Sequence, residues 1–452
     1  AMDYDAYSSF VAVDVEARRP LFTVGLIADT QYADTDDAPP RRFRHGLEVL
    51  KRAVAFWDTS ALVAPVSMVV HLGNALATEA GASPPAALAA LREVAGRSAA
   101  AHAWHVALGP HDLAALGMAG VGALTPLRPL PPAAAYYAVS PSAGWRCLIL
   151  DAFDVSLLGC SRGSAGHAAA LAALVRENPA VAAAAGAAAD PLALPDPLAG
   201  LDGHARRFGP RGGGLSEGQL GWLREQLSLA EEAGERVLVF CHLGCLKDGC
   251  AAEGLLFNCD EAKAAVDSFA GTVAAWVSGG DPAGGYARDG HGVHHLALAS
   301  AAHCQVNHDA FGALLVHDGH MTLRMVGAGP SPASRPQGWP DTLALPRSGK
   351  LVSAPPAGAS FVFMLVSLWM RVLQALMVPV APLLRMLTDE SGQGQADRRQ
   401  GMAAGDGGGS VALGRIPSAT APVPAPPAAE PGAPPQAAAA PGEAEEAQGT
   451  LV

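Results

Sequence analysis

The sequence predicts an α/β fold, and three observations carry that expectation. Short apolar runs rich in β-formers alternate along the chain with segments of helical period. Most of these runs stop at a carboxylate, an amide, a glycine or a histidine. Sheets of α/β proteins place ligand chemistry just past the carboxyl ends of their strands, which is where these polar signals fall. The pattern alone leaves open whether the strands form one sheet or two.

Phe22 to Ala28 is the first such run and reads as a buried strand, with Asp29, Thr30 and Gln31 just past its end. Residues 41–57 set Phe43, Leu47, Leu50, Val54 and Trp57 at helical spacing with charges between them, an amphipathic helix for the face of a sheet. Its Arg41, Arg42 and Arg44 suit a solvated face or a phosphate. Residues 66–72 form a second strand ending in Gly73 and Asn74, 86–101 a helix, and 104–108 a strand ending in Gly109, Pro110, His111 and Asp112. Proline and glycine make 116–132 a loop. Cys147 to Leu150 runs into Asp151 and Asp154, and 164–177 is a helix. The Ala/Pro-rich stretch 180–200 is expected to be irregular. Ser216, with Gln219 at capping-box distance, opens a helix through Glu232. Val237 to Cys241 ends in His242, and Val273 to Ser278 ends in Gly279, Gly280, Asp281 and Pro282. Strands at 311–316 and 320–326 close the domain.

Composition narrows the function classes. The formal charge is −12, and no Lys/Arg cluster interleaves with aromatics, which argues against nucleic acid as a partner. Half the residues are hydrophobic, enough for a sizeable core. The start AMDYDAYSSF lacks a basic-then-apolar pattern, and the cysteines are scattered, so a reducing cytoplasmic setting is expected. Cys241, Cys245, Cys250 and Cys259 crowd His242, but there is no C-x2-C knuckle and Cys241 sits inside an apolar strand, so a zinc site is not expected there.

Asp29-x-Gln31 after a strand, followed by Tyr32-Ala33-Asp34, resembles the first metal motif of the calcineurin-like metallophosphoesterases. More narrowly it resembles the manganese-dependent ADP-ribose/CDP-alcohol diphosphatases, in which Gln stands where most relatives have His. Leu150 to Gly159 (LDAFDVSLLG), Gly284-Gly285-Tyr286 and Gly292 to Leu296 extend the likeness over residues 20–330. The resemblance implies a four-layer α/β/β/α sandwich of two mixed sheets. It also implies two metal ions about 3.5–4 Å apart, held by shared ligands around the phosphoryl group under attack.

That family pattern supplies Asp and Gln, a bridging Asp from a Gly-Asp motif, and Asn with a phosphate-facing His from Gly-Asn-His. A His at a later strand end and two more from Gly-His-x-His complete it. Carried over, Asp29, Gln31, His111 and His242 are present. Asn74 stands at the bridging carboxylate, Pro110 at the Asn, and Gly280 and Pro282 at the two His. The resemblance then leaves Asp29, Gln31, Asn74 and His242 as metal ligands, His111 as the catalytic group, and Asp281 as a possible substitute ligand. His291, His294, His295 and His303 read as ordinary strand and loop histidines, although they lie near enough in sequence to reach in. Such an oxygen-rich remnant suits Mn or Mg held weakly or not at all. The expected protein keeps a cleft for a nucleoside-diphosphate-type small molecule and hydrolyses its linkage weakly or not at all, as a pseudoenzyme. The alternatives are an active phosphodiester or pyrophosphate hydrolase with a one-metal or rearranged site, and a membrane-associated scaffold.

The scaffold alternative comes from the carboxyl-terminal part. Residues 1–19 read as an extension, 20–330 as the domain, and 331–358 as a Pro/Gly linker. Residues 359–387 form an apolar helix nearly long enough to span a bilayer but interrupted by Arg371, and suited to membrane contact. Residues 388–452 are Pro/Ala-rich and acidic, a composition that cannot bury enough apolar surface to fold.

Overall fold

The computed structural model describes residues 19–59, 65–79, 81–100, 103–120, 124, 136–306, 308–327 and 339–346. Two six-stranded mixed sheets dominate it. The first contains β1 (Phe22–Ile27), β2 (Met68–His71), β3 (Trp104–Val106), β12 (Phe311–Val316), β13 (His320–Val326) and β14 (Thr342–Ala344). Its order is β14-β13-β12-β1-β2-β3, with β1, β2 and β3 parallel and the other pairs antiparallel. The second contains β4 (Tyr137–Ser142), β5 (Trp145–Ile149), β8 (Arg236–Cys241), β9 (Val273–Ser278), β10 (Gly285–Arg288) and β11 (His294–Ala297). It is ordered β10-β11-β9-β8-β5-β4, with parallel pairing from β11 through β5 and antiparallel edges. A two-stranded ribbon pairs β6 (Val155–Ser156) with β7 (Gly213–Gly214).

The two-residue period of the strands builds the layers. Phe22, Val24 and Leu26 of β1 pack with Trp145, Ile149, Phe240 and Val277 of the other sheet, forming the core between sheets. Phe22 meets Trp145 edge to face at 5.6 Å between ring centroids. Ile27, on the opposite face, packs with Leu50 and Trp57 of helix α1 (Phe43–Trp57), which has α2 (Pro84–Gly96) beside it. The outer face of the second sheet is covered by α6 (Glu217–Ala233) and α7 (Cys259–Asp267), through Leu223, Leu227 and Val266. The remaining helices are α3 (Pro110–Gly120), α4 (Ala165–Glu177) and α5 (Pro179–Gly186). This is the expected α/β/β/α sandwich. Each fully buried aliphatic side chain in these layers contributes about 1.5–3 kcal/mol.

Helix α1 fixes the first site loop. The Trp57 indole N–H donates to Gly312 O at 2.8 Å, tying its far end to the sheet. At its near end Gly46 lies against the Thr30 carbonyl, so closely that a Cβ there would overlap the oxygen. The absence of a side chain is what lets the helix touch the loop.

Four expectations need correction. Residues 116–120, read as the start of a loop, belong to α3, which runs on to Gly120 through a kink at Gly117. Thr342–Ala344, inside the stretch read as a linker, is β14 and pairs with β13, with Leu343 buried in the core. Residues 180–200 are not irregular throughout. Asn178 caps α5, its Oδ1 accepting from the Ala180 and Val181 N–H groups, with Pro179 in the first turn. The alanines then propagate the helix, so the cap and propensity outweigh the low-complexity composition. The capping box at Ser216 is only half formed. Ser216 Oγ accepts from Gln219 N–H, but the buried Gln219 side chain turns to Asp151, donating to its carbonyl at 2.9 Å and accepting from its N–H at 2.9 Å. Residues 359–387 lie outside the described residues, and among the described residues no helix is long and apolar enough to cross a membrane.

Two outcomes follow. Gly46→Ala gains helix propensity of about 1 kcal/mol, yet forces backbone apart, so a net loss of about 1–3 kcal/mol is expected by chemical denaturation. A neutral or stabilised variant contradicts this packing. Asp151, buried at the end of β5, is pushed up to about 6 by burial, against the pull of its Phe153 N–H bond and with a further push from Asp154. Its folded pKa lies above the ordinary carboxylate value of 3.8, so the folded chain holds the proton longer than the unfolded one. This contribution to stability is present below pH ~4 and is lost as pH rises through ~6. Asp151→Asn should therefore gain on wild type between pH 4.5 and 7, by roughly 2–3 kcal/mol. A constant difference across that range overturns the assignment.

Candidate active cleft

Parallel β1, β2 and β3 bring Asp29, Asn74 and His111 to one sheet edge, and β8 and β9 bring His242 and Gly280 to the same edge of the other. The loops that carry the polar groups are zipped together. Asp29 N–H donates to Gly73 O at 3.0 Å, Gln31 N–H to Asn74 O at 2.9 Å, and Ala302 N–H to Asp29 O at 2.9 Å. Asp29, Gln31 and Asn74 all sit at positive φ, at 52°, 39° and 53°. Non-glycine residues there cost of order 1–3 kcal/mol each and persist where the surroundings over-determine them, as at functional sites.

Asn74 is the hub. Its Oδ1 accepts from His111 N–H at 2.9 Å, which fixes the orientation of the amide. Nδ2 then donates to Asp29 Oδ1 at 2.7 Å and lies 3.4 Å from His242 Nε2. His242 Nδ1 donates to Leu72 O at 2.6 Å, turning the Nε2 lone pair to the amide. Gly280 N–H reaches the other Asp29 oxygen at 3.3 Å. Burial pushes the Asp29 carboxyl above its usual range, against His242, the Asn74 amide and Gly280 N–H, which pull it down.

Around this hub, Asp112 braces the loops. Its Oδ2 accepts from Asn74 N–H at 2.8 Å and Gly109 N–H at 3.1 Å, and its Oδ1 from Leu76 N–H at 3.1 Å. Burial pushes it up to about 6 despite those donors. His111 Nδ1 lies 2.9 Å from Thr78 Oγ1, which orients the ring. Burial, with Arg211 and Arg41 adding to it, pushes this imidazole down to about 3, so at neutral pH it offers a hydrogen bond and no charge. His71 is likewise pushed down to about 3 by burial, its Nε2 3.0 Å from Thr30 Oγ1.

These groups open into a cavity of about 330 Å³. Asp29, Gln31, Asn74, His111, His242 and His303 line its floor. Arg41, Arg206, Arg207 and Arg211 line its walls, with Pro197, Leu198, Pro210, Leu243 and Pro282 supplying an apolar side. The 201–211 segment that brings three of these arginines carries no strand or amphipathic pattern, and no element is predicted there. Asp112 and Ser300 were also missed. Asp112 was legible only as a polar residue at a strand end, and Ser300, whose Oγ donates to Asp29 O at 3.3 Å, followed no motif.

The candidate ligands Asp29, Gln31, Asn74 and His242 therefore meet with His111 in one place. Asp281 does not join them. Its oxygens accept from Ala251 N–H at 2.7 Å and Ala283 N–H at 3.0 Å, so it braces its own loop, and it does not line the cavity. His303 reaches the cleft, held by Ser300 Oγ at 2.8 Å, whereas His294 bonds Ala344 O and His295 bonds Asp289. His291 lies near Asp267 on the surface. Cys245 lies 3.7 Å from His295 Nδ1, and burial pushes its thiol well up, unlike a metal-bound thiolate.

The donor set fits two dications poorly. Among the described residues no group of three His, Cys, Asp or Glu is placed to hold a metal ion. Asn74 Nδ2 presents an N–H to Asp29, and a Cβ placed on Gly280 would lie 3.4 Å from His242 Nε2, so Gly280 adjoins the cleft without a side chain to offer a ligand. One feature does suit a cation: Gln31 Oε1 is buried with no hydrogen-bond partner.

No family model matches the chain. It is 32% identical over 316 residues to a manganese-dependent ADP-ribose/CDP-alcohol diphosphatase of Arabidopsis thaliana, covering 68% of this chain and 94% of that protein. The protein of the same name in Oryza sativa subsp. japonica is 31% identical over 320 residues, covering 69% and 93%. A crystal structure of a dimetal phosphatase from Danio rerio superposes with a TM-score of 0.58 at 25% identity, covering 68% of this chain and 96% of that one. The match covers nearly the whole length of these relatives, and the chain belongs to the manganese-dependent ADP-ribose/CDP-alcohol diphosphatase family.

Proposed function

We propose that this chain is a member of its family in which an amide-centred hydrogen-bond network stands in place of the dinuclear centre. In this reading it binds nucleoside-diphosphate-type molecules, the substrate chemistry of its named relatives, and hydrolyses them weakly or not at all. One observation carries the proposal: Asn74 Nδ2 donates to Asp29 and faces His242 Nε2, occupying the direction in which both would grasp a cation. Two-metal hydrolysis works by concentrating positive charge at the reacting phosphoryl group. A neutral amide, a proline, a glycine and a second proline at the other anchor positions remove the ligands that would hold that charge. The residues present do not suit the two ions. What the chain's own residues do is bind and orient: His111 presents an uncharged ring, and Asp29 is already engaged by N–H donors.

A second reading, slow hydrolysis at a one-metal site, is favoured by the unpartnered Gln31 Oε1 beside Asp29. Incubation with Mn²⁺ and ADP-ribose or CDP-choline separates the two. The first reading expects release of nucleoside monophosphate no greater with Mn²⁺ than with EDTA, and robust metal-dependent release overturns it. Under the second reading any slow turnover disappears in Asp29→Ala and falls at least about tenfold in His111→Ala. Turnover that survives both substitutions does not belong to this cleft.

A further inference from the structure

We propose that the cleft grips the diphosphate of its ligand with a guanidinium group in place of metal ions, Arg211 forming a metal-independent anion site beside His111. This rests on the reading of Asn74 given above and adds where the binding charge comes from. The chain carries a net charge of −12, yet the cavity wall gathers Arg41, Arg206, Arg207 and Arg211 against only Asp29 and Glu253. Low-dielectric walls lined by one sign of charge focus that field on whatever enters.

The four arginines are not equivalent. Arg206 is paired with Glu253 at 2.6 Å, and Arg41 with Glu79. Arg207 donates to Phe257 O at 3.1 Å and His204 O at 2.7 Å, with its guanidinium 4.3 Å above the Phe208 ring. Arg211 is exposed and, among the described residues, makes no hydrogen bond or ion pair. Each of the other three already has a structural partner, so Arg211 has its donors free for a ligand. Its planar fork matches two phosphate oxygens at once, and diphosphate offers them on adjacent groups. The apolar side of the same cavity, including Pro197, Leu198 and Pro210, leaves a surface for the uncharged remainder of a nucleotide. A volume of about 330 Å³ is adequate for such a molecule.

Calorimetric titration of the full chain with inorganic pyrophosphate in EDTA tests this. Saturable binding is expected, weakening about tenfold or more in Arg211→Gln and less in Arg211→Lys, which keeps the charge and loses the fork. Arg162→Gln, which removes a surface arginine 3.6 Å from Asp190 and away from the cleft, should change affinity less than about twofold. No binding in EDTA, or equal binding by wild type and Arg211→Gln, overturns the anion site. If pyrophosphate binds only with Mn²⁺ and ADP-ribose is cleaved as well, the reading of Asn74 falls with it. If neither binding nor cleavage is seen, the anion site alone falls.

Discussion

The carboxylate of Asp29 lies 2.7 Å from the side chain of Asn74, and the rest of the cleft depends on what that side chain is. Two carboxylates at that separation repel strongly in a buried site unless a cation lies between them or one takes up a proton. An amide resolves the conflict from within the protein, because its N–H supplies the positive end of a dipole to Asp29 while its carbonyl oxygen receives the His111 N–H. The same dipole meets the lone pair of His242. This one amide thus ties together loops from both sheets.

The scaffold holds the geometry of this centre from outside it. Asp112 ties three backbone N–H groups from the loops after β2 and β3. His242 is oriented by Leu72 O, the kind of outer contact that normally aims an imidazole at a metal. Gly46 lets α1 press on Thr30, and residues at positive φ are retained at Asp29, Gln31 and Asn74. Each of these contacts is made within the protein, and together they hold the loops in register.

Much of this was legible in the sequence. Apolar runs that stop at polar residues located the strands and their functional ends. The resemblance, more than periodicity, separated two sheets from one. Asp29, Gln31, Asn74, His111 and His242 were named from motifs, and they meet because parallel strands bring their carboxyl ends to a common edge. What stayed hidden depended on distant pairing. Asp281 was a possible substitute ligand by its loop alone, and its oxygens lie on the backbone of its own and a neighbouring loop. Gln219 left its capping box for Asp151, 68 residues away in sequence. The arginines at 206, 207 and 211 sit in a segment with no periodic pattern, so only the folded chain reveals that they wall the cleft. The alanines of α5 were read as low complexity because an Asn-Pro start is a weak signal beside them.

The shift in thermal midpoint on adding Mn²⁺, compared between the wild-type chain and Asn74→Asp, tests most directly whether an amide has replaced the metal centre. A bound ion stabilises only the state that holds it, by an amount set by its concentration over its Kd. The variant should melt lower than wild type in EDTA, from repulsion with Asp29, and recover with a larger rise in Mn²⁺. An equal or larger Mn²⁺-induced rise in the wild-type chain would show that Asn74 already sits within a working metal site, and would contradict this account.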